Sequence, residues 1–321
     1  DVQLSKFSIR NPEAIDQHTI INDFKGYKKL YFLGGNPSFN NFEGLVKNID
    51  NVEIHAEGNF KHQSVNVWGI SDNDLFEEAN SNFAAQNSPF FAIIQTADNH
   101  RPFTIPANEQ DFKINTVDEE ELKKNGFESI EEYNAFRYSD FCFKQFIQAA
   151  KKEAYFKNTI FVFIGDHGVN GNADLIYSPV WTNERLTEEH VPFLIYAPAL
   201  ITPQLRTETV SQIDVLPTLA GLTGQTYTNT TLGRDVLHNE NKNHFAFTIL
   251  HDEGKIGIIT DNYYFTKNLN FNKEELFPLN DKQSISKRES DSIRMKLSTL
   301  SSAFYETSKW MLVHNKRSLS R

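Results

Sequence analysis

Cysteine is nearly missing from this chain of 321 residues, with Cys142 the single thiol. One cysteine excludes an intrachain disulfide and a thiolate metal cluster, and it leaves the redox compartment open. Long apolar runs are also missing: none approaches the ~20 residues needed to span a membrane, and no signal peptide opens the sequence. Basic charge is in deficit, 32 Lys and Arg against 42 Asp and Glu for a formal charge of −10. That balance argues against a nucleic-acid surface as the main business of the protein. The sequence has no G-x-S-x-G elbow, Walker A loop, dinucleotide fingerprint or HExxH pair, so ATP chemistry and hydride transfer drop out as leading ideas. What is present is a composition of 39% hydrophobic and 13% aromatic residues, with 27 Phe. An ordered fold with a phenylalanine-rich core follows, long enough for about two domains or one large α/β domain.

Short β-branched and aromatic runs ending in Gly, Asn or Asp alternate with amphipathic stretches of helical period, an α/β rhythm. Strands are expected at Lys29 to Leu33, Val52 to His55, Phe90 to Gln95, Thr159 to Ile164 and Pro192 to Tyr196. A cluster at Phe245 to Leu250, Ile256 to Thr260 and Tyr263 to Thr266 reads as an antiparallel meander appended to a mostly parallel sheet. The clearest helix runs from about Ser129 to Ala154, with Glu131 and Glu132 in its first turn and an apolar stripe from Ile130, Tyr133 and Phe136 to Phe143, Phe146, Ile147 and Ala150. A second helix is expected from Ile293 to Met311, and the polar stretch Asn268 to Ser290 is the best candidate for a mobile loop. The expected division is an α/β core over residues 1–242 and a C-terminal subdomain over 243–321, with antiparallel strands and a terminal helix.

Chemistry concentrates where apolar strands stop. In "TIFVFIGDHGVN" a buried strand runs into Asp166 and His167 between glycines. Neighbouring strand residues face opposite ways, so the pair can serve one site only if the backbone leaves the strand there, which the glycines permit. A carboxylate and an imidazole at the carboxyl end of a sheet make a divalent-metal half-site, better suited to Mn²⁺ or Zn²⁺ than to an all-oxygen Ca²⁺ cage. The bland alternative is an Asx turn beside a surface histidine. In "FFAIIQTADNHRPFTIP" a second strand ends near His100 and Arg101. A neutral His100 can donate a hydrogen bond to a phosphate or alkoxide oxygen or act as a general acid, and Arg101 can pair with phosphate or be a solvated charge. In "YFLGGNPSFNNF", Gly34 and Gly35 permit close backbone approach to a ligand, and Asn36, Asn40 and Asn41 offer amides to a polyol or phosphate. Asp98, Asp140, Asp214 and His190 are read as structural, with Asp214 expected to cap a helix from Val215 to Gly221.

Taken in order, these segments resemble the alkaline phosphatase superfamily, in its sulfatase-like branch that contains lipoteichoic acid synthases and phosphoglycerol transferases. "GYKKLYFLGGNPSFNNFEG" is similar to that family's GY-strand-YGGD-x-x-F-D-N-M segment, "WGISDNDLF" to WG-x-SD-x-D-L-F, and "TADNHRPFTIP" to T-x-S-N-H-x-P-F. "FRYSDFCFKQFI" resembles its YtD helix, "NTIFVFIGDHG" its GDHG strand, and "HVPFLIYAP", "SQIDVLPTLAGLTG" and "TLGRDVL" follow in order. The resemblance implies an α/β fold with a mostly parallel central sheet sandwiched by helices. It also implies that Asp166 and His167 are metal ligands, with Mn²⁺ the first expectation and Zn²⁺ or Mg²⁺ the alternatives. By the resemblance His100 is a substrate contact; Asn36, Asn40 and Arg101 are added as substrate-binding candidates from the reading of their own segments. The implied reaction moves a phosphoglycerol or similar phosphoalkyl group from a phospholipid-derived donor to an envelope glycan or lipid acceptor through a phosphothreonine.

The family's nucleophilic threonine and its metal-binding glutamate precede the segment that matches Tyr31. The sequence before Tyr31 reproduces neither, so the nucleophile is expected upstream of Asp1 and this piece alone is expected to be inactive. The parent is expected to be anchored by upstream membrane helices, with this part on the extracytoplasmic face of a bacterial cytoplasmic membrane. Asn36 replaces the aspartate of YGGD, and Gly34 stands where lipoteichoic acid synthases carry a histidine. A sulfatase or phosphodiesterase-type hydrolase of the same superfamily, or a binding protein that has lost catalysis, is the alternative.

Overall fold

The structure is a computed structural model that describes residues 15–107, 109–238, 244–280 and 285–317. The chain forms two compact units that interleave along the sequence. Unit one takes described residues 15, 25–165 and 192–203, and unit two 16–24, 166–191 and 204–317. A boundary near residue 242 therefore falls inside unit two.

Unit one is built on β1, Lys28–Leu33, the middle strand of a parallel sheet. Its sequence KKLYFL is apolar after the lysines, and Leu30 to Leu33 are all buried, as expected for a parallel strand covered on both faces. A short helix α1, Phe42–Val46, follows, and then β2, Glu53–His55, pairs beside β1. Helix α2, Asp72–Ala84, starts at Ser71, whose hydroxyl accepts from Asp74 N at 3.2 Å. Strand β3, Phe90–Gln95, pairs in parallel with β1 from Lys28 opposite Phe90 to Leu33 opposite Gln95. Helix α3, Glu119–Lys124, leads to the long α4, Ile130–Ala150, capped by Ser129. Strands β4, Phe161–Ile164, and β5, Phe193–Tyr196, form an antiparallel pair, whereas the sequence rhythm suggested parallel neighbours. The fully buried stripe of α4 is Ala135, Tyr138, Cys142, Phe146 and Ala150. It packs on α2, with Phe76 stacked on Phe146 at 4.7 Å, while Phe32 of β1 meets Phe83 edge-on at 5.5 Å. The expected stripe was rotated, because Tyr133, Phe136 and Phe143 are only half-buried. Burial pushes the Cys142 thiol well above its ordinary pKa, so it is an inert core residue.

Unit two contains three short helices, α5, Val180–Asn183, α6, Leu186–Glu189, and α7, Val215–Leu222. A four-stranded antiparallel sheet follows, β6, Phe245–Leu250, β7, Lys255–Thr260, β8, Tyr263–Asn268, and β9, Glu274–Pro278, in sequential order. Helix α8, Lys287–His314, lies on this sheet through Leu297, which packs with Ile258 and Phe265. The stretch expected to be a mobile loop thus contains an edge strand, β9, and the start of α8; residues 281–284 within it lie outside the described residues.

Candidate functional site

In unit one, the glycines after β1 meet the protein's own backbone. Ile70 N donates to Gly34 O at 3.2 Å and Glu57 N to Gly35 O at 3.0 Å. A Cβ on Gly35 would collide with the Trp68 carbonyl, and one on Gly69, at φ +109°, with the Gly34 carbonyl. The two glycine turns therefore interlock, and close approach to a ligand is not what Gly34 and Gly35 provide. Beyond them, Asn36 is exposed and spends its Oδ1 on an Asx turn, accepting from Ser38 N at 2.9 Å. Asn40 sits half-buried in the left-handed region at φ +49°.

Trp68, which sequence reasoning did not single out as a site residue, organises this rim. Phe39 meets its ring edge-on at 5.2 Å, and His100 lies against it at 4.2 Å. The Trp68 indole donates to the Arg101 carbonyl at 2.6 Å, and His100 Nδ1 is 3.0 Å from the same oxygen. A carbonyl only accepts, so the proton of a neutral His100 sits on Nδ1 and its Nε2 presents a lone pair. The exposed edge of neutral His100 is thus a base; donation to phosphate requires the imidazolium. The Arg101 side chain points elsewhere, paired with Glu128 at 2.5 Å with both groups largely exposed. Arg101 serves this rim through its carbonyl.

Below the rim lies a buried acid pair, Asp72 and Asp98, each 2% exposed. Asp98 Oδ2 accepts from Asp72 N at 2.6 Å, and Asp72 accepts from Ala97 N at 2.8 Å and Asp98 N at 3.2 Å. Each carboxylate holds the other residue's backbone, which ties the start of α2 to the turn bearing His100. Burial raises both pKa values, and the neighbouring Asp72 charge raises Asp98 further. The pair therefore holds a proton above the ordinary aspartate range. Asp98 stands where the resembled motif carries Ser, and its partner 26 residues away gave no local signal.

In unit two, Asp166 and His167 are both strongly exposed, with side chains 91% and 68% accessible. His167 N donates to Asp166 Oδ1 at 2.9 Å, and His167 Nδ1 donates to Gly168 O at 2.7 Å. The Nδ1 proton leaves Nε2 bare, 3.8 Å from Asp166 Oδ2. One unshielded oxygen and one lone-pair nitrogen, side by side in water, are a donor set that fits a divalent ion. Gln212 Nε2 donates to the Asp166 carbonyl at 2.7 Å, and Gly168 N donates to Glu188 O at 2.7 Å. A Cβ on Gly168 would strike the Thr187 carbonyl, which explains the second glycine of GDHG. His190 packs edge-on to Trp181 at 5.2 Å. Asp214 does not cap α7 with its side chain: it accepts from Ser211 N at 2.9 Å and Arg234 N at 2.7 Å, tying two segments. Asn36, Asn40, His100 and Arg101 thus belong to unit one, and Asp166 and His167 to unit two.

With these geometries in place, comparison with known proteins decides the family. A sulfatase family model matches residues 15–225. The chain belongs to the sulfatase family. Among curated relatives, the lipoteichoic acid synthase-like protein YvgJ of Bacillus subtilis is 28% identical over 63% of this chain and 32% of its own length. The lipoteichoic acid synthase of Staphylococcus aureus is 26% identical over 69% of this chain and 34% of its own length. This sulfatase-family chain thus spans about a third of the curated relatives it matches. A solved protein of the alkaline phosphatase superfamily from Vibrio parahaemolyticus is 25% identical with a TM-score of 0.69, over 92% of this chain and 70% of that one. The lipoteichoic acid synthase LtaP of Listeria monocytogenes, 18% identical, shares the fold with a TM-score of 0.75 over 97% of this chain and 80% of its own. The α/β fold expected from the resemblance, alkaline phosphatase and sulfatase-like, is the fold observed. Among the described residues, no helix is long and apolar enough to cross a membrane.

Proposed function

We propose that this sulfatase-family chain is part of a metal-dependent transferase that moves a phosphoglycerol or similar phosphoalkyl group from a phospholipid-derived donor to an envelope glycan or lipid acceptor. The observation that carries the reading is the Asp166 and His167 pair, exposed, 3.8 Å apart, and with the His167 proton held on the far nitrogen by Gly168. The kinship with lipoteichoic acid synthases supports the phosphoglycerol class over other phosphoalkyl groups.

Asp166 and His167 would hold a divalent ion, Mn²⁺ first and Zn²⁺ or Mg²⁺ as alternatives, which supplies charge neutralisation for a phosphoryl oxygen and for an ionising hydroxyl. The proposal assigns the nucleophile to a threonine upstream of Asp1. Its Oγ gives up its proton and bonds to phosphorus as the bond to the diacylglycerol oxygen breaks and that oxygen takes up a proton, giving a phosphothreonine that still carries the glycerol. An acceptor hydroxyl then bonds to phosphorus and returns threonine. His100 is assigned the phosphate or glycerol moiety: as the imidazolium, Nε2 donates to a phosphate oxygen, and as the neutral ring it takes a proton from a hydroxyl. Asn36 and Asn40 are assigned to polyol hydroxyls through amide atoms outside the Asx turn. The same reading places the domain on the extracytoplasmic face of a bacterial cytoplasmic membrane.

The test uses the protein extended upstream through the nucleophile segment, a fluorescent glycerophospholipid with a glycerol headgroup, and Mn²⁺. Release of diacylglycerol, lost on His167→Ala, is expected. Sulfate-ester hydrolysis without lipid turnover would move the assignment to the hydrolase alternative, and tight lipid binding without turnover to a binding protein.

A further inference from the structure

A second set of metal donors lies in unit one: Asp74, the second aspartate of "WGISDNDLF", with His62 and Glu77, which fall in no quoted motif. We propose that His62, Asp74 and Glu77 form a divalent-metal site, separate from the Asp166 and His167 pair, that takes Zn²⁺ and braces the loop carrying Trp68. Asp74 and Glu77 sit three residues apart on α2 and therefore share one helix face, and the loop before α2 brings His62 over them. The donor atoms of the three residues all lie within 4.8 Å of one another. His62 Nε2 stands 3.5 Å from Asp74 Oδ1 and 4.0 Å from Glu77 Oε2. Ligands bound at about 2.0–2.1 Å to a four-coordinate ion are themselves ~3.4 Å apart, so a small inward shift of His62 and the exposed Glu77 closes the set.

The chemistry of His62 points the same way. Its Nδ1 lies 3.0 Å from Glu78 Oε1, an oxygen that also accepts from Lys61 N at 2.8 Å. A carboxylate accepts, so Nδ1 carries a proton, and an ion seated between Asp74 and Glu77 would take the place of any proton on Nε2 and receive its lone pair. A carboxylate behind an imidazole is the arrangement that fixes the tautomer and orientation of a metal-bound histidine. Asp74 is positioned as well: Ser71 Oγ lies 2.8 Å from its Oδ2, leaving Oδ1 for His62. One imidazole and two carboxylates with a water-filled fourth position suit Zn²⁺, which outcompetes Mn²⁺ for such donors. The ion would join residue 62 to α2 on the two sides of Trp68, whose ring supports His100.

To separate the two sites, the 321-residue chain carrying Asp166→Ala and His167→Ala is titrated with Zn²⁺ against a chromogenic chelator. One bound equivalent is expected, abolished by adding His62→Ala and weakened about 10- to 100-fold by adding Glu78→Gln. No bound equivalent, or one that His62→Ala leaves unchanged, would overturn the proposal in favour of a protonated His62 paired with its carboxylates. Crystals of the unsubstituted chain soaked in Zn²⁺ give a reading free of folding defects: an anomalous peak within bonding distance of His62 Nε2 supports the site, and its absence there overturns it. Neither result depends on lipid turnover, so failure here leaves the transferase reading standing, and failure there leaves this site standing.

Discussion

Asp98 and Asp166 each follow an apolar strand in the sequence, yet the pairs they form, Asp98 with Asp72 and Asp166 with His167, are opposites. The first pair is buried, and its carboxylates hold backbone: Asp98 accepts from Asp72 N, and Asp72 from Ala97 N and Asp98 N. The second is open to water: Gln212 donates to the Asp166 backbone carbonyl and the His167 Nδ1 proton goes to Gly168 O, leaving Oδ2 and Nε2 forward. Burial converts an acid into a clamp that keeps a proton. Exposure, with the rear of the imidazole anchored, keeps an acid and a base available to a ligand. A strand-end aspartate is therefore assigned by what its oxygens already hold.

The largest effect that sharpens this contrast is on turnover. In the extended protein, Asp166→Ala or His167→Ala should lower lipid turnover by about a hundred-fold or more, with stability changed by no more than ~0.5 kcal/mol because both side chains are exposed. Chemical denaturation beside the lipid assay checks both halves; a collapse in stability would erase the distinction between the pairs.

The buried pair should behave in reverse. Asp98→Ala leaves Asp72 N without its acceptor and should cost about 2–3 kcal/mol. Asp98→Asn keeps an acceptor oxygen and should cost much less. The pH response has a definite sign. Both folded-state pKa values are raised, so the protons bound in the folded state stabilise it fully below the ordinary aspartate pKa of about 3.9. That stability is lost as pH rises from there through the raised values. Asp74, Glu109, Tyr138 and Cys142 surround the pair and supply no positive charge to offset it. Urea melts across this range should show a downward slope that Asp98→Asn flattens; an unchanged slope would show that the pair does not hold the proton.

The smallest effect belongs to an exposed ion pair. Arg101→Ala removes the exposed pairing with Glu128 and the guanidinium's contact 5.8 Å over the Phe103 ring, and keeps the carbonyl that holds Trp68 and His100, so thermal unfolding should register about 1 kcal/mol or less.

Strand and helix existence was legible because it rests on local period. Strand β3 spans Phe90–Gln95 as expected, and α4 begins after Ser129 because a serine cap followed by Glu131 and Glu132 is a local signal. Strand β9 was not legible: Glu274–Pro278 carries two acids and a proline, and only its pairing with β8 makes it an edge strand. The antiparallel pairing of β4 and β5 was hidden for the same reason, since the segment between them holds two short helices and no turn signal fixes direction. At the site, GDHG is legible because polar residues interrupt an apolar run, although only Phe161 of β4 is fully buried and Ile164 is exposed. The clamp of Asp72 on Asp98, the interlock of Gly34 and Gly35 with Trp68 and Gly69, and the approach of His62 to α2 are contacts between segments, which one sequence does not display. Residue type leaves the Arg101 guanidinium open to phosphate or to solvent, and its exposed pairing with Glu128 is a contact between segments that the sequence does not display.

The most direct test of the transferase reading is intact-mass spectrometry of the extended protein after incubation with the glycerol-headgroup lipid and Mn²⁺ and without acceptor. The account predicts one glycerophosphate adduct, mapped to a threonine upstream of Asp1, that disappears when His167 is replaced by Ala. An unmodified threonine during active lipid turnover, or an adduct that survives loss of both Asp166 and His167, would contradict it.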